Sequence, residues 1–281
     1  MSSSHKVSWF GRSFLGLGFL FLYLPILLLV VFSFNESRLS TSWSGFSFKW
    51  YVALMNDDSM LKAAWVSLKI AFTSATAAVV LGTLAALVMT RFQVFRGKTL
   101  FGALITAPLV MPEVVTGLAL LLMFVTLFAP FGVSPKGMVS IWIAHVTFTM
   151  AFVTVIISSR LAELDRSLEE AAMDLGANRL KIFFVITLPI IIPALVSGWL
   201  LAFTLSLDDV VISSFVAGPD ATTLPMKIFS TVRMGLNPKI NALASIIVAV
   251  VSFTAVAAWA ISSREEKRRQ RDIQLALQKG E

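Results

Sequence analysis

Polar residues are scarce along this 281-residue chain, and they fall in clusters. Six apolar runs separate them: 13–34, 65–90, 100–128, 138–158, 182–207 and 241–262. Each is long enough to cross a hydrocarbon core of ~30 Å, which takes about 20 helical residues. The pattern predicts an all-α membrane protein, a six-transmembrane-helix bundle forming a single domain over 1–281, with no internal repeat and no soluble domain. The third and fifth runs are long and contain proline. The first could be mistaken for a signal peptide. Its apolar stretch exceeds the ~7–15 residues of a signal h-region, however, and no small-x-small cleavage site comes after it. It reads as a retained helix, kinked at Pro25.

The polar clusters set the orientation. Fifteen Lys and Arg lie in the N-terminal tail, the 91–99 loop, the 159–181 loop and the C-terminal tail, against seven in the alternate loops. Positive charge gathers on the cytoplasmic side, so both termini are expected in the cytoplasm. Lys69 lies just inside the second run, from which it can snorkel to the outer interface. Trp43, Trp50, Tyr51 and Trp65 flank the first outer loop, as an interfacial aromatic belt or as contacts for a docking protein. The tail 264–281 is short, charged and expected to be helical.

Composition narrows the chemistry. Hydrophobic residues make up 57% of the chain and charged residues 14%, against about 25% charged in soluble domains. A net charge of +7 would point to nucleic acid in a soluble protein, but here it is membrane topology. Cysteine is absent and there are two histidines, His5 and His145, so neither a disulfide framework nor a metal centre is expected. No nucleophile–base pair or cofactor motif appears, and no G-x-x-x-x-G-K-[ST] phosphate loop. The chain is expected to be no enzyme and to carry no cofactor.

Carboxylates inside apolar runs are costly and point to function. Glu113 lies in APLVMPEVVTG, about 13 residues or ~20 Å into the third run. Pro108 and Pro112 flank it and should break the helix, and broken backbone at that depth is tolerated where it lines a water-filled cavity or is buried in protein. Asp208 and Asp209 lie in FTLSLDDVVISSF, near the outer end of the fifth run. Adjacent helical residues face different ways, so at most one points into a pathway while the other caps or meets a loop. Unbalanced carboxylates, with no intramembrane Lys or Arg but Lys69, favour a cationic cargo. Aromatic side chains could add cation–π attraction, and a polyamine combines ammonium ends with an apolar chain. His145 reads as a packing histidine bonded to a neighbouring helix, and TSATAAVVLGTLAA as a run of small residues for close helix packing.

The 159–181 loop and the start of the fifth run read SRLAELDRSLEEAAMDLGANRLKIFFVITLP. A short helix can start near Asp165 or Ser167, with Glu169 and Glu170 in its first turn. Gly176 sits where a left-handed residue would end it, and Asn178 can cap a second helix entering the fifth run. Glu170-Ala171-Ala172, three residues, Gly176, nine residues, then Ile186-x-Leu188-Pro189 resembles the EAA loop of bacterial ATP-binding-cassette importer permeases. The resemblance implies that Glu170, Ala171, Ala172, Gly176, Leu188 and Pro189 belong to a coupling element that docks on a cytoplasmic ATPase. ATP-driven closure of that ATPase would then move the bundle between access states.

FTLSLDDVVISSFVAGP, TTLPMKIFS and APLVMPEVVTGL are similar to the second permease subunit of putrescine/spermidine importers, a likeness that extends from LPILLLVVFSFN to the tail. It implies a bacterial inner-membrane protein with Glu113, Asp208 and Asp209 as pathway residues. The implied partners are an ABC ATPase dimer, a second homologous permease and a periplasmic polyamine-binding protein. Two alternatives stay open: a permease for another amine, an amino-acid derivative or iron, and an ion-coupled transporter using Glu113 as a proton site.

Overall fold

The structure, a computed structural model, describes residues 9–38, 42–92, 94–235, 237–253 and 256. Its regular structure is helical, with a single antiparallel bridge, Asn35 with Phe46, among the described residues. Among these residues twelve α-helices run in chain order, with a 3-10 turn at Ala129–Phe131: α1 Trp9–Ser33, α2 Lys49–Met55, α3 Asp58–Arg91, α4 Lys98–Val110, α5 Glu113–Phe128, α6 Met138–Glu163, α7 Ser167–Asp174, α8 Arg179–Ile182, α9 Leu188–Asp208, α10 Val211–Val216, α11 Leu224–Arg233 and α12 Pro238–Phe253. A π-helical turn, Phe183–Thr187, joins α8 to α9, so the helix runs unbroken from Arg179 to Asp208. By length and composition, four of the described helices can cross a membrane: α1, α3, α6 and the α8–α9 run.

The third predicted span is not one helix. It is the pair α4 and α5, bent by 119° at Met111–Pro112. Pro112 lacks an N–H and pushes Met111 to φ −77°, ψ 137°, extended backbone that cannot continue a helix. Pro108, expected to break the helix as well, is absorbed within α4. The sixth predicted span is helical over Pro238–Phe253; its remainder, the tail 264–281 and Lys6 lie outside the described residues.

The chain divides into two compact units, residues 59–230 and residues 1–58 with 231–281. In the first, α6 is the central helix, packed against α4, α9 and α10. The predicted small-residue seam is there: Ala71, Ser74, Ala75, Ala78, Gly82, Ala85 and Ala86 are buried along α3. A Cβ on Gly82 would stand 2.8 Å from Val153 Cγ1, so only glycine permits that approach to α6. One apolar cluster gathers Ile70, Phe124, Ile141, Phe148 and Ile212, and a second gathers Ala78, Val153, Ile157, Leu161 and Ile191.

In the other unit, Asn35 organises the loop after α1. Its amide donates to Ser42 O and accepts from Ser44 N, and its carbonyl accepts from the Trp50 indole at 2.7 Å. Trp50 is buried, and the Tyr51 hydroxyl lies 2.7 Å from Ser33 Oγ. These two aromatics therefore hold the loop together, whereas Trp43 and Trp65 are exposed as a belt or docking surface requires.

Candidate functional site

Three places carry the predicted residues. At the α4–α5 break, Glu113 is the first residue of α5 and is exposed. The helix begins from Pro112, whose carbonyl accepts from Val115 N and Thr116 N. A carboxylate in a first turn faces unpaired N–H groups and the positive end of the helix dipole. Glu113 is thus favoured by the helix dipole, and among the described residues it is in no ion pair.

At the C-terminal end of α9, adjacent Asp208 and Asp209 diverge. Asp208 ends α9 with its side chain exposed. At Asp209 the chain leaves the helix (φ −65°, ψ 126°), and this residue is buried. Its Oδ1 accepts from Ile212 N at 3.1 Å and its Oδ2 from Ser213 N at 2.7 Å, so it caps α10. His145 of α6, 1% exposed, reaches the same oxygen from Nε2 at 3.2 Å. Nε2 also lies 3.0 Å from Ser213 Oγ, and Nδ1 lies 2.6 Å from Ser206 Oγ, which continues to Ser74 Oγ at 3.0 Å. Four helices, α3, α6, α9 and α10, therefore meet in one buried polar network. His145 does bond neighbouring helices, as expected.

The candidate loop between α6 and α9 is a helix–turn–helix. Asp165 Oδ1 accepts from Ser167 N at 2.9 Å and starts α7. This bond and the Ser167 hydroxyl hold the Asp165 carboxyl below the ordinary aspartate range. Gly176 takes φ +82°, and Gly176 N and Ala177 N donate to Met173 O and Ala172 O, a Schellman end. Asn178 then caps α8, accepting from Lys181 N at 2.8 Å. Glu170, Ala171 and Gly176 are exposed, as are Met173 and Leu175, the latter at 89%. Leu188 and Pro189 open α9.

The neighbouring Glu169 does a different job from Glu170. It pairs with Arg91 at the end of α3 and accepts from Thr187 Oγ1 at 2.8 Å. Arg166 donates to Thr90 O at 3.1 Å. The loop is therefore strapped to α3 and to the π-helical turn. Pro189 cannot donate a backbone bond, and the wide turn before it places Thr187, buried, against Glu169. Sequence reading missed this strap, because nothing local pairs residue 91 with residue 169. It also missed the buried serines, although Ser206, Asp209 and Ser213 recur at helical spacing in an otherwise apolar run.

A groove of about 440 Å³ lies between α3 and α9, lined by Trp65, Lys69, Phe72, Trp199 and Phe203 among others. The Trp199 indole donates to Thr76 Oγ1 at 3.1 Å and stacks on Phe203. None of the three candidate carboxylates lines it. No group of His, Asp and Glu among the described residues could hold a metal ion.

Residues 78–264 match the family described as "Binding-protein-dependent transport system inner membrane component". The chain is 61% identical over 261 residues to the putrescine transport system permease protein PotI of Escherichia coli K12, covering 92% of this chain and 93% of that one. It is 43% identical over 248 residues to the spermidine/putrescine transport system permease protein PotC of the same strain, covering 88% and 91%. Among solved structures, a bacterial ABC transporter importing the acidic polysaccharide alginate shares the fold, with a TM-score of 0.71, 18% identity and 92% and 96% of the two chains covered.

Proposed function

This chain belongs to the family of binding-protein-dependent transport system inner membrane components, and from that membership we propose that it is the permease subunit of an ATP-driven polyamine importer. It is a multi-pass protein of the bacterial inner membrane. Six spans cross, with α4–α5 as one broken span and α12 within the last, and both termini are cytoplasmic. It forms half of the pathway; a second homologous permease forms the rest. A periplasmic binding protein delivers putrescine or spermidine, and a separate ATPase dimer hydrolyses ATP.

One observation carries the cargo reading: two carboxylates, Glu113 and Asp208, stand exposed at helix breaks in an apolar chain, without ion-pair partners among the described residues. An ammonium group passing between the two permeases would supply the missing charge. Asp209 supports the pathway from behind, since its oxygens are occupied. In the coupling loop, Glu170, Ala171 and Gly176 offer the docking surface, and the Glu169 strap passes its movement to α3 and α9. Closure of the ATPase would thereby tilt α9, the helix that carries Asp208.

Uptake of labelled putrescine by cells with the complete system tests this, comparing intact chain, deleted chain and Glu113→Gln, with spermidine as competitor. A charge-assisted hydrogen bond is worth about 1.5–3 kcal/mol, or roughly 10–100-fold. Glu113→Gln should lower uptake within that range at unchanged membrane abundance, and deletion should abolish it. Unchanged putrescine and spermidine uptake on deletion would overturn the cargo assignment.

A further inference from the structure

Asp208 stands where its own helix does little to hold it. It is the last residue of α9, and the chain departs from helical geometry at the next residue. The last carbonyls of a helix lack partners, and a carboxylate there meets the negative end of the dipole. A frayed final turn would swing Asp208 away from wherever it now points. What prevents this lies on another helix. The His145 ring contacts Ser206 through Nδ1 at 2.6 Å and Asp209 through Nε2 at 3.2 Å. Those residues bracket Asp208, two positions before and one after. Through Asp209, which receives Ile212 N and Ser213 N, the same ring fixes the start of α10.

We propose that His145 is a positioning residue for the cargo carboxylate: it clamps both sides of Asp208 and keeps that side chain exposed at the end of α9. The assignment rests on the transport reading above. His145 is 1% exposed and so does not itself touch a passing solute. The imidazole suits the task because it bonds from two well-separated edges. A neutral ring donates from Nε2 to the Asp209 carboxylate and accepts at Nδ1 from the Ser206 hydroxyl. An amide presents its donor and acceptor from one end, so glutamine keeps polarity and approximate size but cannot span both contacts. The Ser206 hydroxyl passes the chain on to Ser74 of α3, which ties the clamp to the small-residue seam.

The test is a double-mutant cycle on the complete transporter in cells, with labelled putrescine uptake resolved into KM and maximal rate and membrane abundance measured in parallel. Asp208→Asn is expected to raise KM about tenfold or more. His145→Gln should raise KM to a similar extent, and the double variant should be no worse than Asp208→Asn alone, because a clamp has nothing to position once the charge is gone. A fall in maximal rate alone, or losses that multiply in the double variant, would overturn the proposal. If His145→Gln does not reach the membrane, Ser206→Ala, which removes only the Nδ1 contact, takes its place in the cycle. A raised KM that vanishes in the Asp208→Asn background supports the clamp, and an intact-chain KM overturns it. If Asp208→Asn itself leaves KM unchanged, the pathway role of Asp208 fails, a result distinct from failure of the clamp.

Discussion

The two helix breaks at Met111–Pro112 and at Asp209 each leave a carboxylate outside, but they are built by opposite means. The first is local. Pro112 withholds an N–H and forces its predecessor into extended backbone, and the new helix offers Glu113 its positive end. The second has no proline. Its turn is held by a buried aspartate, a histidine from α6 and serines from α3, α9 and α10. A local break survives changes elsewhere, whereas a break held by a network depends on every member, since a half-satisfied buried network is worse than none. The same outward carboxylate therefore comes with different vulnerabilities.

Asp209→Ala should show the contrast most sharply. Removing the carboxylate leaves buried donors of His145, Ile212 N and Ser213 N without their acceptor, at about 1–3 kcal/mol each, and α10 loses its cap as well. The variant should fall in membrane abundance and unfold at lower temperature in detergent. Pro112→Ala, by comparison, alters only a local preference, worth about 1 kcal/mol or less. Thermal unfolding of the two purified variants side by side checks this, and if Pro112→Ala proves the more damaging, the distinction between local and networked breaks is wrong.

A medium effect is expected where the two breaks come together. Gly117, one turn into α5 from Glu113, faces α10: an added Cβ would lie 2.7 Å from Phe215 Cδ2 and 3.3 Å from Ile212 Cα. The Phe215 ring can swing away, but the Ile212 backbone cannot. Gly117→Val should therefore displace α10 against α5, at about 1–3 kcal/mol for overpacking. Because α10 is tied to Asp209, uptake should fall further than stability alone accounts for. Uptake per molecule of membrane-inserted protein measures this. A stable variant with intact uptake would show that the two breaks move independently.

Legibility in the sequence divides along the same line. The apolar runs, the proline break, the small-residue seam and the whole α7–Gly176–α8 turn are legible because each is written in neighbouring residues. Gly176 at positive φ and Asn178 as a cap fall where spacing places them. Sequence shows that a proline breaks the helix before Glu113 but not that the chain then turns through 119°. Helical geometry anticipates the split between Asp208 and Asp209, but which one turns inward depends on His145, 64 residues away from Asp209. The Arg91–Glu169 pair, 78 residues apart, is invisible for the same reason. Trp50, which reads as a belt residue, instead closes the loop around Asn35.

The α7–Gly176–α8 turn supplies a third break, shaped by its own backbone although α7 is strapped to α3, and so the gentlest test. Gly176→Ala places a Cβ in left-handed backbone, which costs about 1 kcal/mol, and should loosen α7 without disturbing the bundle. Asp165 acts at the opposite end of α7, and there pH enters. Its carboxyl is held below the ordinary aspartate range by the Ser167 backbone N–H and hydroxyl. A carboxylate depressed in the folded state adds stability above its unfolded pKa and loses it as pH falls through the lower folded value. At neutral pH the cap is fully charged and fully effective. Hydrogen exchange of α7 amides should therefore be flat from neutral to mildly acidic pH once corrected for intrinsic rate, and protection should fall only in the strongly acidic range. Asp165→Asn keeps an acceptor for Ser167 N but carries no charge, so protection should be slightly lower at neutral pH and lose its acid-dependent step. A step that persists in Asp165→Asn would show that the acid sensitivity does not come from the Asp165 cap.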